Sequence, residues 1–390
     1  MQINHLHLSS FRNYEQLSVD FGPRLNIFVG DNAQGKTNLL EAIQILASTH
    51  SFRSAKDTDL IQLYQNGRAL EFAQFERAAV ISAEVKREDA GTILMEVGIS
   101  SHGKKNLQVN GTRRSRLSDY LGHLNAVGFN SFDMDIIAGE PQDRRRFLNL
   151  EISQLNPIYN HYLLRYRRAL EQRNHLLHEM AEFGSGDYGL EAWTEQIVEY
   201  GGHLFERRDL FVKEIAPLAQ AVHSELTDGE EKLEIRYLCS ALQNEAAQPM
   251  DRSKMDWGQA FRSDLERVAA DELRRGMTLS GPQRDDLSIM INGSEARVFA
   301  SQGQQRTAAL SIKMAEFEVA KRRLGEDPVL LLDDVLSDLD PQRQRILLEK
   351  TNGFWQTFLS TTTLKGFPEA LLEQATIYEV KGGVVTRNAK

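Results

Sequence analysis

A glycine-rich segment followed by lysine and threonine is the first part of the sequence whose residue types suggest chemistry. It fits the spacing G-x-x-x-x-G-K-S/T, and its residues are Gly30, Asp31, Asn32, Ala33, Gln34, Gly35, Lys36 and Thr37. Backbone N–H groups of such a loop can surround phosphate oxygens, and the following helix directs its positive end toward them. Lys36 can reach the β- and γ-phosphates as a catalytic group, and Thr37 can bind magnesium. A tight turn without function is the alternative, but the apolar segment before the loop and the helical pattern after it favour nucleotide binding.

Two consecutive aspartates follow the apolar residues 329–332. This composition is typical of a strand that is buried on both faces. At the end of that strand Asp333 can hold magnesium, and Asp334 can orient or deprotonate an attacking water molecule. An ordinary turn after a strand has the same sequence, so the pattern gains its meaning from the loop at 30–37. Together the two motifs predict a site for magnesium and ATP.

A third motif precedes the acidic strand and opens a predicted helix. Ser301 is a good N-cap, and Gly303 allows the backbone to approach an anion closely. With Gln304, this segment resembles the signature motif of ABC-type ATPases. In that family the motif contacts the γ-phosphate held by the other subunit, so the resemblance implies an ATP-dependent homodimer.

Two further positions match or depart from the ABC-type pattern. Asp340 stands where the family has its D-loop, and Thr362 stands where these ATPases have a switch histidine. The second acidic residue is Asp334 where glutamate is more usual. These two departures, at Thr362 and Asp334, lead us to expect slow hydrolysis, and the resemblance implies that it depends on DNA. Resemblance to SMC-type ATPases further implies that Arg12 reaches the nucleotide phosphates, although an ordinary surface arginine is the alternative.

Several more segments occur in the order of one family of SMC-like ABC ATPases. They are residues 11–14, 139–141, 144–148, 172–174 and 280–286. With the Ser301 motif they resemble the RecF family over nearly the full length, whereas residues 130–134 depart from the usual pattern. The resemblance implies a role in recombinational repair and replication at single-strand/double-strand DNA junctions or gaps. It also implies RecR and RecO as partners and help in loading RecA.

Basic residues outnumber acidic ones between positions 104 and 173, although the whole chain has a net charge of −9. Such a local excess can bind the phosphates of double-stranded or single-stranded DNA. The candidate contacts are Arg113, Arg114, Arg116, Arg144, Arg145 and Arg146. A solvated face with internal ion pairs is the alternative. Tyr159, Tyr162 and Tyr166 have helical spacing, which favours helix packing over base stacking.

The composition excludes several classes of protein. The 390 residues are 41% hydrophobic and include one cysteine, Cys239, so we expect no internal disulfide and a reducing compartment. The amino-terminal residues show no secretory signal, and the longest apolar segments have the length of strands. We therefore expect a cytoplasmic protein without membrane contact.

The periodicity predicts an α/β fold with a mixed β-sheet lobe and a mostly helical insertion, and the resemblance described above implies that the lobe is an ABC-type ATPase head. We assign residues 1–130 and 281–390 to the lobe and 131–280 to the insertion. Its short antiparallel arm would have one helix face over 152–180 and a second helix over 190–226. Strands at 287–291 and 296–299 would flank an Asn-Gly hairpin turn.

Two alternatives share this nucleotide chemistry. In the ATPase subunit of a membrane transporter, the glycine-rich loop and the signature lie much closer in sequence. A chromosome-organising SMC protein needs far longer coiled coils than this arm.

Overall fold

The computed structural model describes residues 1–388 except 55, 63, 66–67, 70–77, 89–90, 185–188, 246–251 and 352–355. The chain divides into two units, Met1–Asp133 with Glu316–Lys390 and Met134–Ala315. No helix in the described ranges is long and apolar enough to span a bilayer.

The bounds of the regular elements follow. The strands are β1 (Gln2–Phe11), β2 (Tyr14–Asp20), β3 (Leu25–Val29), β4 (Tyr64–Gln65), β5 (Arg68–Ala69), β6 (Ala78–Arg87), β7 (Gly91–Ser100), β8 (Lys105–Val109), β9 (Thr112–Arg114), β10 (Ala126–Phe129), β11 (Leu233–Leu238), β12 (Asp286–Ile291), β13 (Ser294–Glu295), β14 (Val329–Asp333), β15 (Thr357–Thr361), β16 (Thr376–Lys381) and β17 (Val384–Arg387). The α-helices are α1 (Lys36–Ser48), α2 (Asp135–Ala138), α3 (Pro141–Leu155), α4 (Pro157–Phe183), α5 (Leu190–Leu226), α6 (Trp257–Arg275), α7 (Ala296–Phe299), α8 (Gln302–Leu324), α9 (Pro341–Thr351) and α10 (Glu369–Gln374).

A mostly parallel sheet in the first unit carries the motifs at 30–37 and 333–334. Its strand order is β10-β14-β15-β3-β16-β17, and only β17 is antiparallel to its neighbour. Strands β3 and β14 are almost entirely apolar and buried, as expected for strands covered on both faces. Strand β15 pairs with both, so the carboxyl ends of the three strands lie side by side. This register brings the glycine-rich loop and the acidic pair to one edge.

The second sheet of the same unit is antiparallel, with the order β2-β1-β6-β7-β8-β9. Buried and exposed residues alternate along β1 and β6, and the buried ones share a core with α1. Asn110 and Gly111 both have positive φ and form the turn between β8 and β9. Strands β6, β7 and β8 follow one another in this sheet, and each pairs antiparallel with the next.

The helices predicted for the second unit are present, with one correction. Helix α5 has the predicted bounds, but the face predicted over 152–180 belongs to two helices. Helix α3 ends at Leu155 and α4 begins at Pro157, because the N–H that proline lacks would have no partner at the first position of a helix. Tyr159 and Tyr166 are buried, which confirms their predicted packing role.

Residues 131–133 belong to the first unit instead of the second. The larger difference from the predicted division is at residues 281–315, which belong to the second unit. The reason is that β12 pairs with β11 along its full length, from Leu233 with Ile291 to Leu238 with Asp286. The predicted Asn-Gly turn is present, but residues 296–299 form α7 instead of a strand. Pairing of β12 with β13 stops after two residues, and Val298 and Phe299 are exposed, so no strand face is buried there.

Candidate nucleotide site

The glycine-rich loop has a conformation that only glycine permits at Gly35. Its φ is +118°, and a Cβ there would lie 2.6 Å from Asn13 Nδ2 and 2.9 Å from Tyr14 Oη. The same two side chains hold the loop, because Asn13 Nδ2 donates to Gln34 O at 3.0 Å and Tyr14 Oη donates to Gly35 O at 3.0 Å. Residues of β2 and the turn before it therefore support a backbone whose N–H groups can face an anion.

Lys36 is buried at the start of α1, and its amine lies on the loop itself. Lys36 Nζ donates to Gly30 O at 2.6 Å and to Asp31 O at 2.8 Å. Burial lowers the pKa of Lys36, and the carboxylates of Asp334, Asp333 and Asp31 oppose that change. The amine is thus held by carbonyl groups that phosphate oxygens can replace, which fits its predicted role.

The acidic strand end meets the loop at Asp333. Thr37 Oγ1 donates to Asp333 Oδ1 at 3.0 Å, and Ser360 Oγ donates to the same oxygen at 2.7 Å. Burial raises the pKa of Asp333, an effect that the two hydroxyl donors partly oppose. A hydroxyl beside a carboxylate is the donor set that magnesium prefers, so the predicted pair Thr37 and Asp333 fits this ion.

Ser360 is a site residue that the sequence analysis missed. Besides its bond to Asp333, Ser360 Oγ accepts a hydrogen bond from Asp334 N at 2.9 Å. Asp334 has a φ of 54°, a left-handed conformation that aspartate adopts more readily than most residues. The sequence carried no local signal for Ser360, because its place in the site depends on β15 lying between β14 and β3.

Arg12 is bound to α1 in this structure. Its guanidinium donates to Glu41 Oε2 at 2.9 Å and to Glu41 Oε1 at 2.7 Å, and Glu41 is fully buried. A third donor contacts Asp59 O at 2.9 Å. This bidentate pair fixes Arg12 beside the helix that follows the loop. Its contact with nucleotide phosphates stays a prediction.

The signature motif lies in the second unit and begins α8. Ser301 N donates to Gln304 Oε1 at 2.9 Å, and Gln304 N donates to Ser301 Oγ at 3.3 Å, which is a reciprocal cap. Ser301, Gln302 and Gly303 are exposed. A Cβ at Gly303 would meet only Ser301 Oγ, at 4.0 Å, so the unit itself gives no steric reason for glycine. An external group that approaches this turn would supply one.

The other two predicted switch positions lie in the first unit. Asp340 Oδ1 accepts hydrogen bonds from Gln342 N and Arg343 N, each at 3.0 Å, and so caps α9. Thr362 is exposed directly after β15. Their predicted roles toward a nucleotide stay predictions.

The six predicted DNA-contact arginines differ in their surroundings. Arg113 and Arg116 are exposed in the first unit, and Arg114 is partly buried beside them. Arg146 is exposed in the second unit, whereas Arg145 Nη1 donates to Asp285 O at 2.8 Å.

Arg144 requires a correction. It is 5% exposed, and its Nε and Nη2 donate to Asp286 at 2.6 Å and 2.9 Å. Because its charge is neutralised inside the second unit, Arg144 offers nothing to a DNA phosphate. We withdraw it from the candidate contacts.

Asp333→Asn is expected to reduce ATP hydrolysis on the order of 100-fold by removing the predicted magnesium ligand. It is also expected to raise the free energy of unfolding without nucleotide at neutral pH. Burial raises the pKa of Asp333, so the folded state binds its proton more tightly than the unfolded state does. The ionised carboxylate therefore costs stability above the folded-state pKa, and the cost disappears as the pH falls through that value. Asparagine keeps an Oδ1 acceptor for both hydroxyl groups.

Thermal unfolding of both proteins with and without Mg-ATP checks this expectation. The advantage of the variant should shrink between neutral pH and about pH 4, where an ordinary aspartate is half protonated. A variant that is less stable than the wild type at neutral pH would contradict the expectation.

The fold and the site define a class of protein. A phosphate-binding loop and an acidic strand end follow two parallel strands that are separated by one other strand, an antiparallel sheet completes that unit, and a largely helical unit carries a signature motif. This is an SMC-like ABC-type ATPase head. Residues 2–386 match the family described as the RecF/RecN/SMC N terminal domain.

Full-length relatives narrow the class further. The DNA replication and repair protein RecF of Oceanobacillus iheyensis is 40% identical, covering 99% of this chain and 100% of the relative. That of Bacillus subtilis is 38% identical, again with 99% and 100% coverage. The chain therefore belongs to the RecF family.

Solved structures agree with this assignment. The recombination mediator protein RecF-ATP in the RecFOR pathway superposes with a TM-score of 0.87 at 32% identity, covering 100% of this chain and 98% of that one. An Smc head domain from Pyrococcus furiosus has a TM-score of 0.55 at 17% identity, covering 99% and 96%. The second similarity concerns the fold alone.

Proposed function

We propose that this chain is an ATP-dependent DNA-binding protein of recombinational repair and replication. The observation that carries the proposal is the meeting of Thr37 and Asp333, with Ser360, at the carboxyl ends of neighbouring strands. Lys36 lies on the adjoining loop. Membership of the RecF family and the similarity to a RecF–ATP structure support ATP as the nucleotide. A transporter subunit is not favoured, because the full-length relatives described above are repair proteins.

Magnesium would be held by Thr37 and Asp333. The ion supplies positive charge that neutralises the β- and γ-phosphates, and Lys36 supplies more. Asp334 orients the attacking water. Hydrolysis is slow because aspartate stands here where glutamate is more usual. ATP then acts as a switch instead of a fuel for steady turnover.

The ATP-bound form is a homodimer. Ser301 and Gly303 of one protomer contact the γ-phosphate that its partner holds at residues 30–37. Two observations support this arrangement. Both residues are exposed in the second unit, and nothing within that unit requires glycine at position 303 for steric reasons. The γ-phosphate stabilises the pair, and its loss releases the two protomers.

Light scattering tests the dimer directly. The mass of the wild type should double with ATP, and Ser301→Arg should prevent the doubling while single-protomer ATP binding remains. Ser263→Arg, at an exposed serine of the same unit outside the signature motif, serves as a comparison for the added charge. ATP-dependent doubling by Ser301→Arg would reject the shared site.

The proposed nucleic-acid ligand is DNA at gaps or single-strand/double-strand junctions. The proposed protein partners are RecR, RecO and RecA. These assignments follow from the family. Gel shifts on gapped, duplex and single-stranded DNA, with and without ATP, distinguish the DNA structures.

Reversing the charge at two exposed arginines, Arg113→Glu with Arg116→Glu, is expected to weaken DNA binding and reduce its salt dependence. If each arginine contacts one phosphate, the slope of log K against log salt falls by about 2. Arg24→Glu, an exposed arginine of the same unit outside the basic segment, is the matched control. An unchanged slope in the double variant would remove both arginines from the DNA interface.

A further inference from the structure

The amide of Gln304 connects the signature turn to a neighbouring carboxylate. While its Oε1 accepts from Ser301 N, its Nε2 donates to Glu231 Oε1 at 3.0 Å. Ser301 Oγ already accepts a bond within the turn, so its hydroxyl proton is the group that can donate to an anion outside. The orientation of the Gln304 amide therefore sets where that hydroxyl lies.

Glu231 is itself held at its second oxygen. Glu231 Oε2 lies 3.0 Å from His223 Nε2, and the side chains are 16% and 0% exposed. His223 lies near the end of α5, and Glu231 follows in the connection to β11. With one oxygen on the histidine and the other on Gln304, the carboxylate cannot rotate without breaking a bond.

Both ring nitrogens of His223 have an oxygen within hydrogen-bond distance. Its Nδ1 lies 3.2 Å from Ser311 Oγ, and that hydroxyl donates its own proton to Thr307 O at 2.6 Å. The buried ring is thus held between Ser311 and Glu231. Thr307 Oγ1 donates to Gly303 O at 2.9 Å, which returns the network to the signature turn.

We propose that Glu231 and His223 are positioning residues for the signature motif. They fasten the first turns of α8 to the end of α5 and hold Gln304 so that the hydroxyl of Ser301 faces outward. The inference rests on the proposed function, in which that hydroxyl contacts the γ-phosphate bound by a second protomer. Neither residue contacts ATP.

Glu231→Ala should weaken ATP-dependent dimerisation at least about fivefold, the scale of losing a helix cap, while single-protomer ATP binding stays unchanged. Hydrolysis should fall with dimerisation. Glu231→Gln keeps an oxygen acceptor for Gln304 and should recover most of both. Glu230→Ala removes an exposed carboxylate from the same connection and is the matched control. Equal dimerisation and hydrolysis in Glu231→Ala and Glu230→Ala would overturn the proposal.

An exchange of the two partners tests the contact itself. Gln304→Glu places two carboxylates opposite each other and should reduce dimerisation. Adding Glu231→Gln rebuilds the bond with donor and acceptor exchanged and should restore it. A double variant as weak as the sum of the single variants would count against the contact.

Mixing experiments separate this positioning role from a loss of folding. Glu231→Ala has an intact phosphate-binding loop, so it should recover hydrolysis when mixed with Lys36→Met, whose signature is intact. It should recover none with Ser301→Arg, because both signatures are then defective. Equal recovery with both would overturn the positioning role. If a mixture of Lys36→Met and Ser301→Arg does not recover hydrolysis, the ATP site shared between two protomers is wrong. The positioning role of Glu231 and His223 is then wrong as well.

Discussion

Lys36→Met and Ser301→Arg are expected to lack ATP hydrolysis separately and to regain it when mixed. Lys36→Met removes the amine that the loop carbonyls hold for the phosphates. The loss in rate is on the order of 100-fold or more, as for other charged groups that stabilise a transferring phosphoryl group. Ser301→Arg keeps that amine but replaces the exposed hydroxyl that caps α8. Each variant therefore retains the part that the other lacks.

The size of the recovery follows from pairing statistics. Each mixed dimer has one intact site of two, so the recovered rate is about a quarter of the wild-type rate if all pairs form equally and rises toward about half if the homodimers do not form. Steady-state hydrolysis across a series of mixing ratios measures this. The recovery should be greatest at equal amounts. A mixture that only averages the two variants would show that one protomer encloses its own nucleotide.

Removing either partner of the buried pair Arg208 and Asp285 is expected to cost about 3–5 kcal/mol of unfolding free energy. The two side chains are 2% and 0% exposed, and Arg208 Nη1 donates to Asp285 Oδ2 at 2.6 Å. Asp285 Oδ1 also accepts from Ser240 N at 2.9 Å, and Tyr237 donates its hydroxyl to the same carboxylate. Arg208→Met leaves that carboxylate charged and without its cation. Asp285→Asn leaves the guanidinium without its anion.

The double variant separates pairing from packing. Arg208→Met with Asp285→Asn leaves neither charge uncompensated, so its cost should be smaller than the sum of the single costs by about 0.5–3 kcal/mol. Arg262→Met breaks an exposed pair with Glu195 and should cost less than about 1 kcal/mol.

Denaturant unfolding followed by tryptophan fluorescence reports on this unit through Trp193 and Trp257 when Trp355, which belongs to the other unit, is replaced by phenylalanine in every protein compared. If the double variant loses as much unfolding free energy as the two single variants lose together, the two charges do not interact.

Local patterns in the sequence were sufficient for part of the site. The residues at 30–37 require only a strand before them and a helix after them, and both have strong local signals. The bounds of α5 were predictable for the same reason, since apolar residues recur on one face over many turns. The loss of helix at Asn156 was also encoded locally, by Pro157, although the longer pattern concealed it.

Contacts between segments that are distant in the sequence could not be predicted from local patterns. Ser360 joins Asp333 and Thr37 only because β15 pairs between β14 and β3, and nothing in its neighbouring residues marks it. Arg144 illustrates the opposite error. Within a run of three arginines it looks like a surface cation, but it pairs with Asp286, which lies 142 positions away in the sequence.

The sequence by itself determined the chemical groups that can bind a nucleotide and the helix whose first turn can meet an anion. These depend on backbone conformations and side chains within a few residues, where glycine, lysine and N-cap preferences act directly. Only the tertiary structure decided which hydroxyls donate to Asp333 and which arginines are paired with carboxylates inside the protein. It also decided that Glu231, held by His223, accepts a hydrogen bond from Gln304. Strand register and helix packing decide these contacts, because they bring together residues that are far apart along the chain.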